Sequence, residues 1–302
     1  KKIQNFKKTI KVDSDKSLSI RSLLLGSISE NISKIDNLLE SEDVFSTIKC
    51  LKKMGVTIKK KGKIFYVYGK GLGSLFAKKG TKLNFGNSGT LARLLIGILS
   101  TTPDIDIKLS GDTSLKKRNM ESLIKLMNEF GATFYPNSKR TLPFNLRSSD
   151  IPIGINYKAG KSAQLKSAVI LAGLNSFGNT NIIEKKKTRN HTELLLKKNS
   201  NAIKLRSTKD VNNIKIFGKK TLHSNNMKIF GDPSSAAFFT ALTVLKKKSK
   251  LKYILNMARR TRRSSRRSMR RSMRSMRRSS RRSSRRCSRP GPLTQRHAWS
   301  PF

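Results

Sequence analysis

One device recurs four times along this chain, and its spacing limits what the chain can fold into. Small polar or Gly residues precede a compact apolar helix in DSDKSLSIRSLLLGSI from Asp13, GNSGTLARLLIGIL from Gly86, AGKSAQLKSAVILAGL from Ala159 and FGDPSSAAFFTALTVL from Phe230. Aligning Ser17, Ser88, Ser162 and Ser234 gives offsets of 71, 74 and 72 residues. A period this long exceeds the common solenoid repeats and predicts a duplicated α/β unit. Each copy also predicts a helix N-terminus whose unpaired N–H groups and dipole suit a phosphate or carboxylate. GNSGT alone is a weak signal, no more than a glycine-containing cap. The recurrence gives it weight.

A second helix follows in the first three copies, at Ser41–Met54, Thr113–Phe130 and Thr188–Lys198, and the first two stop at Gly55 and Gly131. Thr9–Val12 reads as a strand leading into the first cap, and Val56–Lys59 with Lys63–Tyr68 as a hairpin turning at Lys61-Gly62. Ile105–Leu109, Thr133–Tyr135 and Phe144–Leu146 are the strands of the second copy. Gly154–Tyr157, Thr180–Glu184 and Ile214–Phe217 are those of the third. Each complete unit thus reads strand–helix–strand–helix–strand–strand. The fourth starts at Lys228 with Asp232 as cap and Pro233 at the first helical position, and runs to Lys250–Leu255. Gly69, Gly71 and Gly73 mimic a dinucleotide loop, but their spacing departs from GxGxxG and no helix follows. They read as a hairpin exit.

Charge divides the chain near Met257. Residues 258–302 hold 17 Arg, no Lys and no acid, against 42 Lys, 7 Arg and all 17 acids before them, for a net +49 overall. This Arg/Ser/Met tail lacks the apolar content for a core and is expected to be disordered. Its all-Arg usage points to a separate coding origin. Cys50 and Cys287 give no disulfide framework and fit a reducing cytosol, with Cys50 a packed hydrophobe. The N-terminus KKIQNFKKTI has no apolar h-region, and the apolar run Leu91–Leu99 is too short to span a bilayer. A cytoplasmic protein with no membrane partner is expected. His191, His223 and His297 are too scattered for a metal site.

Arginine is scarce in the body, so its placement is informative. Arg21 and Arg93 lie in the first turns of their helices, Arg118 follows two lysines in GDTSLKKRNM, and Arg189 opens RNHTE. Arg holds carboxylate or phosphate bidentately. Any one of these could be solvated surface charge; four near helix starts point to an anion site.

In this order and spacing, DKSLSIR, GNSGTLAR, GDTSLKKRNM, SAQLKSAVILAG, RNHTE and GDPSSAAFF resemble the 5-enolpyruvylshikimate-3-phosphate synthase family, the 3-phosphoshikimate 1-carboxyvinyltransferases of the shikimate pathway. The resemblance covers about Ile10 to Asn256. The sister family acting on UDP-N-acetylglucosamine shares the fold but fits DKSLSIR and SAQLKSA poorly. The resemblance implies an α/β, enolpyruvyl transferase-like lobe of three βαβαββ repeats over residues 14–227. This is an inside-out α/β barrel with its helices packed inward around a pseudo-threefold axis. A second lobe is represented only by a strand in residues 1–13 and its start in 228–257.

It also implies a site. Lys16 is the catalytic residue and contacts both substrates. Lys16, Ser17, Arg21, Ser162, Ala163, Gln164 and Arg189 bind shikimate 3-phosphate. Lys16, Asn87, Gly89, Thr90, Arg118 and Gln164 bind phosphoenolpyruvate. The implied reaction is attack of the shikimate 5-hydroxyl on C2 of phosphoenolpyruvate with protonation at C3, then loss of phosphate. It uses no metal or organic cofactor, and the protein is expected to be a monomer. VDSDKSLSIR departs from the family in lacking Pro-Gly before DKS and in having Ile20 where His is common. In the family, three further units after GDPSSAAFF hold the general base and more arginines, so this chain is expected to bind ligands without turnover. Two alternatives stay open: a polyanion or nucleic-acid binder acting through RRSSRRSMRR, and a body that only keeps the fold as a scaffold.

Overall fold

The computed structural model describes residues 6–208, 210–245 and 249–254. The expected disorder and polyanion binding of residues 258–302 lie outside that range. The first copy of the repeat contains α1 (Lys16–Ile28), β2 (Ile32–Asp36), α2 (Glu42–Lys53), β3 (Thr57–Lys61) and β4 (Ile64–Tyr68), preceded by β1 (Lys7–Lys11). The second runs β5 (Lys82–Asn84), α3 (Gly89–Ser100), β6 (Asp106–Ser110), α4 (Thr113–Lys116), α5 (Glu121–Glu129), β7 (Thr133–Tyr135) and β8 (Phe144–Arg147). The third runs β9 (Asn156–Ala159), α6 (Ala163–Leu174), β10 (Asn179–Glu184), α7 (His191–Asn199), β11 (Ile203–Ser207) and β12 (Asn212–Phe217). Then come β13 (Met227–Lys228), α8 (Pro233–Val244) and β14 (Lys250–Ile254).

The three sheets share one topology. Their orders are β13-β2-β4-β3, β5-β6-β8-β7 and β9-β10-β12-β11, each with one parallel pair followed by two antiparallel pairs. One strand arrives from far away: Met227 and Lys228 pair with Ile35 and Asp36, closing the first sheet from beyond the third copy. Lys228 therefore belongs to this lobe, not to the second-lobe fragment where the sequence placed it. Without it the edge of β2 would leave backbone groups unpaired. Lys7–Lys11 pairs in parallel with Lys250–Ile254, apart from the three sheets. The segments leading into α1 and α8 meet at an antiparallel bridge between Ser14 and Gly231, the Asp15 N–H donating to the Phe230 carbonyl and the Asp232 N–H to that of Asp13, both at 2.8 Å.

The helices lie inside and the sheets outside. In α1, α3 and α6 nearly every residue after the first turn is buried, whereas strands such as β2 and β10 bury alternate residues and expose the others. An apolar helix with no polar face needs neighbours all round. Gly97 lets α3 meet α6 backbone to backbone, because a Cβ there would stand 2.6 Å from the Ala168 carbonyl oxygen. Beyond the lobe, α8 buries only Ala236 and leaves Phe238, Val244 and Leu245 exposed. Among the described residues no helix is long and apolar enough to cross a membrane.

Several boundaries differ from the sequence reading. The cap of α1 is Asp15, two residues before the aligned Ser17, because its carboxylate reaches the Leu18 N–H, whereas Asp232 caps α8 as the sequence predicts. The helix expected over Thr113–Phe130 breaks at Lys117–Met120, where Asn119 Oδ1 takes the Glu121 N–H and Met120 N–H bonds the Arg140 carbonyl. Helix α7 starts at His191, since Thr188 turns aside to bond Glu184 through its N–H and hydroxyl.

Candidate functional site

Caps Asp15, Ser88 and Ser162 each accept one first-turn N–H, from Leu18 at 2.7 Å, Leu91 at 3.3 Å and Leu165 at 3.3 Å. The other N-terminal N–H groups of each helix stay without intrahelical partners. Six, five and four residues beyond these caps stand Arg21, Arg93 and Lys166, basic residues within the largely buried part of each helix.

Helix α6 joins two cationic stations. At the first, Gln164 accepts from Arg93 at 3.1 Å and donates to Thr90 Oγ1 at 2.9 Å. Arg118 donates to Asn87 Oδ1 at 2.7 Å. A Cβ on Gly89 would lie 2.7 Å from one Arg118 nitrogen and 2.9 Å from one of Arg93, so both guanidiniums converge over this glycine. Burial lowers the Arg93 pKa, and Arg118 lowers it further. Among the described residues neither arginine forms an ion pair with a carboxylate. Two cations facing one another without an acid favour an anion between them.

The second station lies three residues on along α6, on the same face. Ser167 Oγ accepts from Arg21 at 3.2 Å and from Thr192 at 2.9 Å, and Arg21 Nε donates to Thr192 Oγ1 at 2.9 Å. Arg21 also donates to the Ser17 carbonyl at 3.2 Å. Burial pulls the Arg21 pKa down to about 10, against the opposing charges of Glu193 and Asp15, while nearby Arg189 adds to the lowering. His191, in the same neighbourhood, is lowered chiefly by burial. Lys16 is half exposed and pairs with Asp43 of α2 at 2.9 Å. Such a surface pair contributes little to stability.

The structure thus gathers Asn87, Gly89, Thr90, Arg118 and Gln164 at one station and Ser17, Arg21 and Arg189 at the other. Lys16 stands beside Ser17 on the first turn of α1, and Ser162 and Ala163 form the N-terminal edge of α6, just before Gln164. The sequence reading counted Arg93 among the arginines of an anion site without assigning it to either substrate, and passed over Ser167, Thr192 and Lys166. All three lie inside SAQLKSAVILAG and RNHTE, and a lysine in an apolar helix was the available signal.

Behind the second station sits a buried ionic cluster. Lys166, fully buried, lies 2.7 Å from both Glu184 and Glu193, themselves 2% exposed at the side chain. Burial alone pushes the Glu184 pKa up, but hydrogen bonds from Asn212, Lys166 and Thr188 together outweigh it and hold the carboxyl at about 2. With the folded value depressed, this carboxylate contributes stability above its ordinary value of 4.5, and the contribution is lost as pH falls toward about 2. Glu184→Gln should therefore flatten the acid limb of a stability–pH curve over that window. An unchanged limb, measured by urea unfolding, would count against this cause.

A family model described as EPSP synthase (3-phosphoshikimate 1-carboxyvinyltransferase) matches residues 1–289. A protein named 3-phosphoshikimate 1-carboxyvinyltransferase from Alkaliphilus oremlandii is 39% identical over 252 residues, 83% of this chain and 57% of the relative. One of the same name from Vesicomyosocius okutanii is 41% identical over 231 residues, 76% of this chain and 52% of the relative. The solved structure of EPSP synthase from Acinetobacter baumannii superposes with a TM-score of 0.71 at 34% identity, covering 82% of this chain and 55% of that one. The chain spans about half the length of the curated relatives it matches. The alternative of a polyanion binder finds no support in these matches.

Proposed function

The chain belongs to the EPSP synthase family, and from that membership we propose that its lobe holds shikimate 3-phosphate beside phosphoenolpyruvate for enolpyruvyl transfer. The observation that carries this reading is the bridging by α6, whose Gln164 and Ser167 tie a station around Arg93 and Arg118 to one around Arg21. Two multiply charged substrates must approach each other, and cations with fixed donors offset their repulsion.

In this reading Ser17, Arg21, Ser162, Ala163, Gln164 and Arg189 hold shikimate 3-phosphate. Asn87, Gly89, Thr90, Arg118 and Gln164 hold phosphoenolpyruvate, and Lys16 touches both. The shikimate 5-oxygen bonds to C2 of phosphoenolpyruvate, its proton passes to a base, and C3 gains a proton. C3 then gives up a proton as the C2–O bond to phosphate breaks, so that the C2–C3 double bond re-forms in the enol ether product and phosphate leaves. Lys16, an ammonium at the open N-terminus of α1, is the residue of this lobe suited to stabilising charge that develops between the two ligands.

Arg118→Ala separates the roles. It should leave shikimate 3-phosphate affinity within about twofold and weaken phosphoenolpyruvate by roughly 1.5–3 kcal/mol, the scale of a charged hydrogen bond. Calorimetric titration, with phosphoenolpyruvate added in the presence of shikimate 3-phosphate, reads both. Equal loss of both ligands would overturn the division.

A further inference from the structure

Arginine side chains carry five N–H donors on a planar fork, and Arg21 commits three of them inside the protein. Nε is taken by Thr192 Oγ1, one N–H by Ser167 Oγ and one by the Ser17 carbonyl. One N–H on each terminal nitrogen is left for a ligand. Arg21 is 5% exposed, so its plane is set by these partners and not by solvent.

The partners are themselves fixed. Ser167 donates to the Ala163 carbonyl at 2.8 Å and accepts from Thr192, so its lone pairs point to Thr192 and Arg21. Thr192 is 1% exposed in the first turn of α7, and the next residue, Glu193, is gripped by Lys166 at 2.7 Å. Among the described residues Lys166 is the one polar partner of the Glu193 carboxylate, so this buried charge is balanced by Lys166 and by the nearby Arg21. Lys166 in turn holds Glu184 at the end of β10. A chain of alternating charge, Glu184–Lys166–Glu193–Arg21, therefore runs from the sheet to the ligand face, with the Ser167–Thr192 hydroxyl pair beside it.

We propose that Thr192 and Ser167 are positioning residues that orient the Arg21 guanidinium toward shikimate 3-phosphate, with Lys166 and Glu193 locking the first turn of α7 that carries Thr192. The ligand named here rests on the function proposed above; the orientation of Arg21 does not. A hydroxyl at residue 192 is the group required, and its methyl is not.

Two measurements on the 302-residue chain test this with Thr192→Val, which keeps shape and removes the hydroxyl, and Thr192→Ser, which keeps the hydroxyl. In the ligand-free protein the Arg21 Nε–H should give a slowly exchanging nitrogen–proton signal, assigned by its disappearance in Arg21→Ala. That signal should vanish or exchange rapidly in Thr192→Val and persist in Thr192→Ser. Calorimetric titration should show shikimate 3-phosphate bound roughly tenfold more weakly by Thr192→Val, as for one hydrogen bond to a charged group, and within about twofold of wild type by Thr192→Ser. Persistence of the Nε–H signal in Thr192→Val, or equal weakening by both variants, overturns the positioning role. A wild-type chain that shows the protected signal but binds no shikimate 3-phosphate overturns the ligand assignment and leaves the orientation of Arg21 standing.

Discussion

Lys166→Met is expected to destabilise the protein by about 3–5 kcal/mol, the cost of removing one partner from a buried ionic cluster. The lysine ammonium lies 2.7 Å from Glu184 and 2.7 Å from Glu193, with all three side chains at or below 2% exposure. Methionine fills similar volume, so the loss comes from charge and not from a cavity. Glu184 would keep Asn212 and Thr188, whereas Glu193 has no other polar partner among the described residues and would keep the charge of nearby Arg21. Adding Glu193→Gln to Lys166→Met should recover part of the loss, because one uncompensated charge disappears with it. Urea unfolding near pH 7 reads both variants. A loss below about 1 kcal/mol would mean that the cluster is not the buried, charged unit described here.

Arg21→Ala is expected to weaken shikimate 3-phosphate binding by roughly 1.5–3 kcal/mol, about tenfold to over a hundredfold. The effect should be large because Arg21 arrives already oriented by Ser17, Ser167 and Thr192, so little side-chain entropy is lost when a ligand binds. Lysine should not substitute. An ammonium is a point charge without the planar fork, and it cannot satisfy Thr192 and Ser167 while still facing a ligand. Arg140→Ala is the control. Among the described residues the side chain of that exposed arginine donates only to the Asn137 carbonyl, and its loss should change the affinity by less than twofold. Equal losses from Arg21→Ala and Arg140→Ala would reduce the effect to general surface charge.

The repeat was legible because its signals are local. Cap residues and an apolar run sit within a dozen positions of each other, and Ser88 and Ser162 cap their helices as the spacing predicts. The first cap was harder, since Asp13-Ser14-Asp15-Lys16-Ser17 offers several capping side chains and only the backbone path selects Asp15. The strand closing the first sheet left no local trace: Met227 and Lys228 form a two-residue ladder with β2, and no periodicity is readable in two residues. Likewise β5 is only three residues long and was not assigned from sequence. At the site, the clustering of Arg21, Arg93, Arg118 and Arg189 followed from their nearness to helix starts. The supporting residues did not, because sequence shows that Lys166 is a lysine but not that two carboxylates from β10 and α7 enclose it.

The central claim is that three helix N-termini, linked through α6, form one face for a phosphorylated cyclic hydroxy acid. Titration calorimetry of shikimate 3-phosphate into the 302-residue chain tests it most directly, with shikimate lacking the phosphate as the second titrant. The expected result is saturable binding at one ligand per chain, markedly weaker for shikimate and weakened again by Arg21→Ala. Absence of saturable heat, or affinity for shikimate equal to that for its 3-phosphate, would contradict the account.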